Sequence, residues 1–284
     1  MNIAPFAQCK DAAFLSCLGR LGLGTMCTFV ILRRPGHPWP VLIAANRDEM
    51  SGRPWDSPGR HWSDRAHVTA GLDREAGGTW LGVNDDGLCA GVLNRLHTLG
   101  PKAGFRSRGE LPLEALDHAE AGIAAEALSN LDPDAYRPFN MVIADAFEGY
   151  VLTSTGMEGD GIRVRKIDNG LSMITAHDLN DMTSPRMRHY LPKFRAAPVP
   201  DPDRDGGQGW APWRELMASR ESATANEPGG AMTFTGKNGF GTVSSSLIAL
   251  PGHPDALSGA RRRSQWLFAA GPPDSTPFFP VAGL

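Results

Sequence analysis

The residues best suited to chemistry are Cys27 and the run Asn46-Arg47-Asp48-Glu49. Cys27 follows Met26 and opens the apolar run CTFVILR, and a second run, VLIAAN, delivers the polar four. If translation starts at Met26, or the chain is trimmed there, Cys27 carries a nucleophile and a base in one residue. A thiolate is the attacking species, and a free α-amine titrates near about 7.7 to 8.0, close to the thiol's about 8.5. Acyl transfer needs that nucleophile, a base within hydrogen-bond reach, and donors aimed at the developing oxyanion. Asn94, which closes another apolar run, is a fitting amide donor. Arg47 can hold a thiolate by charge, and Asp48 can anchor the α-amine. Plainer roles exist for the same residues: a buried strand cysteine, and a polar turn with a surface Asp–Arg pair.

The elements that would position these residues are legible in part. Runs 27–34 and 41–46 flank RPGHPWP and predict a β-hairpin. TWLGV and LCAGVLN flank Asn84-Asp85-Asp86-Gly87 and predict a second. With the two hairpins side by side in one sheet, Asn46 to Glu49 and Asn94-Arg95 would close on the start of the first strand, at Cys27. Residues 50–78, rich in Gly, Pro, Asp and Arg, read as an irregular excursion. Gly77 and Gly78 permit a tight turn before Trp80, which reads as core or pocket wall. Ser107-x-x-Glu110 resembles a capping box before the stripe Leu111, Leu113, Leu116, Ala119, with Pro112 in the first turn. Arg108 there is either a ligand contact or a surface charge. A second helix is expected over 123–128, a hairpin over 140–146 and 150–154, and strands at IRVRKI and LSMIT. Residues 184–195 and 212–220 look helical around the Pro/Asp/Gly-rich stretch 197–209, and GTVSSSLIAL and SQWLFAA close the chain as strands. This order predicts an α+β fold.

Composition narrows the function. The chain has 284 residues, 41% apolar and 21% charged, ordinary globular usage. A net charge of -3, with Arg261-Arg262-Arg263 as the only dense basic run, disfavours nucleic acid. Cys9, Cys17, Cys27 and Cys89 form no CxxC, which predicts a reducing, cytoplasmic compartment rather than a disulfide framework. No apolar run reaches the roughly 18 residues of a membrane helix, so stable membrane insertion is not expected. Residues 1–25 read as a removable leader or an over-extended start, with one unit over 26–284. No metal is expected: there is no HExxH, and Asp201-x-Asp203-x-Asp205-Gly206 has Pro212 where a calcium loop needs Glu. Phosphate loops and the GxSxG elbow are also missing.

The blocks MCTFVILRRPGHPWPVLIAANRDE, GLDREAGGTWLGVNDDG, SRGEL and PFNMVIAD occur in order. Together they resemble the NRDE family, also called the transport and Golgi organisation protein 2 family; GTVSSSLIAL resembles its later Gly-Thr strand. That family is similar to N-terminal-nucleophile hydrolases, which implies a four-layer αββα sandwich of two antiparallel sheets. The resemblance extends to cysteine enzymes of the choloylglycine hydrolase and acid ceramidase kind, which cleave linear amides. It implies Cys27 as nucleophile, Arg47 and Asp48 as its partners, and Asn94 as an oxyanion donor. Those enzymes separate Arg and Asp by two residues, so Asn46 with Glu49 is a rival pair. A second oxyanion asparagine falls to Asn140 or Asn180, or is replaced by His177 or Asp178. Beside Asp178, His177 could assist acid/base work or be structural. Hydrolysis or transfer of a small amide, thioester or ester is thus expected. The alternative implied is a non-catalytic handler of haem or of acyl-lipid and acyl-CoA, with trafficking a third role. Substrate and oligomeric state are not legible.

Overall fold

β1 (Thr28–Arg33) is buried at every position, so both faces of its sheet need cover. Side chains alternate along a strand. Phe29 and Ile31 enter a core between two sheets, while Val30 and Leu32 enter a different core beneath helices. The computed structural model describes residues 27–222, 230–236, 238–252 and 262–284. The expected leader, Met26, Cys9, Cys17 and Arg261 lie outside the described residues.

Among the described residues, one sheet has six strands in the order β10 (Gly170–Ile174), β1, β2 (Val41–Met50), β11 (Phe240–Leu250), β12 (Gln265–Ala269), β13 (Phe279–Pro280). The other has seven, adjacent in chain order: β3 (Trp55–Gly59), β4 (Val68–Asp73), β5 (Leu81–Asn84), β6 (Cys89–Asn94), β7 (Phe139–Ala144), β8 (Gly149–Ser154) and β9 (Arg163–Lys166). Every pairing is antiparallel. Ile43, Ile174 and Ile248 of the first sheet meet Leu81, Val83 and Val142 of the second. Helices α1 (Glu110–Leu116) and α2 (Ala121–Ser129) set Leu111, Leu116 and Leu128 on the outer face of the seven-stranded sheet. Helices α3 (Pro185–Ala196) and α4 (Ala211–Ala218) set Tyr190, Phe194 and Trp213 on the outer face of the six-stranded one. The result is the expected four-layer αββα sandwich.

Several local expectations need correction. The first two hairpins do not share a sheet: β1 and β2 lie in one, β5 and β6 in the other. Residues 50–78 are not irregular, since β3 and β4 run through them. Their polar composition reflects a half-exposed sheet edge at β3, broken by a register shift between Asp56 and Gly59. The capping box does not form: Gly109 is the N-cap with no side-chain cap, and Glu110 pairs with Arg106 at 2.6 Å. The stretch 197–209 is not all loop, because a 3-10 helix starts at Asp205. Among the described residues no helix is long and apolar enough to cross a membrane.

Candidate active site

β2 does not stop before Asn46-Arg47-Asp48-Glu49 but carries all four, because β11 pairs with it as far as Met50. Alternation then sends the four side chains to opposite faces. Arg47 and Glu49 face the space between the sheets. There, with Cys27, Trp80 and Asn94, they line a cavity of about 250 Å³. Asn46 and Asp48 turn toward the helices. Asn46 Nδ2 donates to the carbonyls of Met217 at 3.1 Å and Met232 at 2.9 Å. The Asp48 carboxylate accepts from Arg186 Nη1 at 2.9 Å and from the Thr242 hydroxyl at 2.7 Å. Arg186 Nη1 also donates to Thr28 Oγ1 at 2.6 Å, next to Cys27.

Asp48 still reaches Cys27, through its backbone: Asp48 N–H donates to Cys27 Sγ at 3.4 Å. That contact favours a thiolate, but two stronger influences oppose it. Burial, then the Asp48 carboxylate, push the Cys27 thiol up to about 12. At neutral pH the sulfur therefore keeps its proton unless a nearby base removes it. Among the described residues, no histidine lines the cavity. Burial likewise pushes the Asp48 carboxyl up, against the pull of Arg186 and Thr242.

Trp80 forms the cavity wall by a specific device. Its ring lies on the bare backbone of Gly71, where an added methyl would collide with it, and the Arg47 guanidinium lies 4.0 Å above the ring centroid. Gly78 serves the next contact: a methyl there would meet the Gly109 carbonyl at 2.5 Å. The close approach lets Thr79 N–H donate to Gly109 O at 2.9 Å, which holds Arg108 against the cavity. Asn94, the last residue of β6, enters from the seven-stranded sheet. Cys27 and Asn94 therefore meet across the two sheets rather than along one.

Asn140, His177 and Asn180 lie outside this cavity. Asn140 is fully buried, and both ends of its amide are engaged. Oδ1 accepts from Arg95 Nη1 at 2.7 Å and Thr153 Oγ1 at 3.1 Å, and Nδ2 donates to the carbonyls of Thr175 at 2.9 Å and His177 at 2.7 Å. It joins β7 to the chain leaving β10. Asn140→Leu should lower the unfolding free energy by about 2–3 kcal/mol in urea titration, since it strands buried partners. An unchanged midpoint would contradict that. His177 Nδ1 faces Asp181 Oδ2 at 3.6 Å. Asn180 turns the chain with φ 59 and holds Met173 N–H and the Ser172 hydroxyl.

Sequence reasoning missed Arg186, Thr242, Arg53, Asp73 and Arg137. For Arg186 a signal existed: it falls on the buried stripe of α3 with Met187, Tyr190, Leu191 and Phe194, where a cation needs a partner. Thr242 and Arg137 had none, since their neighbours are remote in sequence. Among the described residues no three His, Cys, Asp or Glu side chains converge as a metal site requires.

The family model for Transport and Golgi organisation 2 matches residues 26–197. A Transport and Golgi organization protein 2 homolog of Bos taurus is 33% identical over 130 residues, which cover 44% of this chain and 46% of that one. The Homo sapiens homolog is 31% identical over 131 residues with the same coverage. The chain thus matches just under half the length of these relatives. Among solved structures, a Caenorhabditis elegans N-acylethanolamine-hydrolyzing acid amidase ortholog superposes with a TM-score of 0.51 at 13% identity. The match covers 84% of this chain and 98% of that one, and it establishes a shared fold.

Proposed function

The chain belongs to the Transport and Golgi organisation 2 family, and from that premise we propose that it performs acyl transfer or hydrolysis with Cys27 as an N-terminal nucleophile. The observation that supports this most is the convergence of Cys27, Arg47 and Asn94 on one cavity that no histidine lines among the described residues. A thiol pushed up to about 12 needs a base, and the α-amine of Cys27 itself would meet that need once residue 26 is gone.

In this chemistry the amine takes the thiol proton and sulfur bonds to the carbonyl carbon of a small amide, thioester or ester. The carbonyl electrons move to oxygen, where the Asn94 amide donates to the oxyanion. Arg47 lowers the cost of the thiolate by charge. When the tetrahedral centre collapses, the ammonium returns its proton to the leaving nitrogen, sulfur or oxygen. Water, deprotonated by the same amine, then releases the acyl group and restores the thiol. Asp48 acts from behind: its backbone holds the sulfur, and its carboxylate is fixed by Arg186 and Thr242.

Incubation of a chain freed at Cys27 with p-nitrophenyl acetate tests the proposal. One acetyl group should appear on the Cys27 peptide by mass spectrometry, and Asn94→Ala should slow its formation by about 10²–10³-fold. An adduct on another residue, or none, would contradict the assignment. A cytoplasmic, reducing location fits Cys27 and Cys89, both free thiols.

A further inference from the structure

The charges around the cavity do not balance. Of its acids, Asp48 is held by Arg186 at 2.9 Å and Asp73 by Arg53 at 2.7 Å. Glu49 lies loosely between Arg53 at 3.9 Å and Arg47 at 4.0 Å. On the cationic side, Arg108 donates only to the Thr98 hydroxyl and to backbone carbonyls, at 2.9 to 3.5 Å. Arg137 donates to the carbonyls of Leu99 and Gly100 at 2.7 Å and of His97 at 3.2 Å. Lys102 lines the same cavity from an exposed position.

Arg47 is the sharpest case. It is 6% exposed, its guanidinium carbon lies 4.0 Å over the Trp80 ring centroid, and its Nη1 is buried with no hydrogen-bond partner. A buried guanidinium with unmade bonds is costly unless something supplies an acceptor. Trp80 covers the guanidinium from one side and the residue lines the cavity, so the partner it lacks is one the cavity could supply, and a guanidinium fork matches planar or tetrahedral oxyanions. Burial first, and then the neighbouring Arg137, pull Arg108 down to about 10, with Glu49 opposing them only in part.

We propose that the substrate carries an oxyanion, a carboxylate or a phosphate monoester, which docks on the edge of Arg47 within the field of Arg108, Arg137 and Lys102. The scissile carbonyl then lies over Cys27. This rests on the cavity being the acyl-transfer site. At about 250 Å³, the cavity suits a compact acyl compound rather than a drug-sized one.

Competing alkylation tests the proposal without requiring turnover. Iodoacetate and iodoacetamide react with the same thiolate, so the ratio of their rates at Cys27, read by peptide mapping, cancels its nucleophilicity. Relative to 2-mercaptoethanol, the ratio in the full chain should be raised about tenfold or more, as expected for a cleft of one charge. It should fall in 1 M NaCl and collapse in Arg47→Gln, while Arg47→Lys retains most of it. Lys102→Gln, at an exposed position, should lower it severalfold and serves if Arg47→Gln does not fold. A ratio equal to that of 2-mercaptoethanol, or unchanged in a folded Arg47→Gln, would overturn the anion site. Succinate and inorganic phosphate at millimolar concentration separate the two sources, according to which slows iodoacetate more; protection by neither also overturns it. A raised ratio without any acetyl adduct from p-nitrophenyl acetate would instead refute hydrolysis and leave the anion site standing.

Discussion

Replacing Cys27 with alanine is expected to abolish acyl labelling and to cut turnover by about 10⁴- to 10⁶-fold, the range seen when a covalent nucleophile is deleted. Among the described residues, no other group along the cavity is suited to take its place. Cys89 is buried, and desolvation alone pushes its thiol well up. Ser107 and Thr79 also line the cavity, but a hydroxyl needs a base more than a thiol does. Cys27→Ser keeps the amine and nearly the same volume, so its loss should be smaller than that of alanine yet still large. Rapid-quench mass spectrometry with p-nitrophenyl acetate gives both rates. Labelling that persists in Cys27→Ala would show that the reacting group lies elsewhere.

The second large effect concerns the support behind the site. Arg186 and Asp48 form an ion pair at 2.9 Å with side chains 1% and 0% exposed. Removing one partner from such a pair costs about 3–5 kcal/mol, because the other charge is left buried alone. Arg186→Met should therefore lower the urea midpoint by that equivalent. Its pH dependence has a definite sign. Burial already pushes the Asp48 carboxyl up, and loss of Arg186 removes the main opposing pull. The folded variant then binds a proton more readily than the unfolded chain, so its stability falls as pH rises from acid toward neutral. The deficit against the parent protein should be largest near pH 7 and should shrink as pH drops. A deficit under about 1 kcal/mol would mean that the pair carries little of the fold, and one independent of pH would mean that the Asp48 carboxyl does not take up a proton in the variant.

How far the sequence spoke for itself follows from the range of each signal. Hairpins were legible where the turn chemistry is local, as at Asn84 to Gly87, whose glycine adopts φ 85. The two later helices were legible as the segments 184–195 and 212–220 on either side of a Pro/Asp/Gly-rich stretch, and in the structure Pro185 and Pro212 sit in their first turns. Sheet membership was not legible, since neither hairpin encodes which sheet it joins. The extent of β2 was hidden for a related reason. β11 holds it through Glu49 and Met50, and the two strands lie nearly two hundred residues apart.

That hidden extension decided the site. Taken as a strand end, Arg47 and Asp48 look like neighbours on one tip. Inside a strand they must part, Arg47 to the cavity and Asp48 to α3. Asn46 and Asp48 are then tied to partners on the helix side, while Glu49 joins Arg47. Asn94 belongs to the cavity for a reason local patterns cannot hold: it arrives from the opposite sheet.

One comparison bears most directly on the amine of Cys27: acylation rates, from pH 6 to 10, of a chain that begins at Cys27 and of one that retains Met26. The proposed chemistry predicts that the shorter chain acylates with a midpoint near the α-amine's ordinary about 7.7 to 8.0. The longer chain should be slower by about 10²–10⁴-fold for want of its general base. Its residual rate should climb tenfold per pH unit without levelling, because its thiol is pushed up to about 12. Equal rates with the same pH profile would contradict the central role given to that nitrogen.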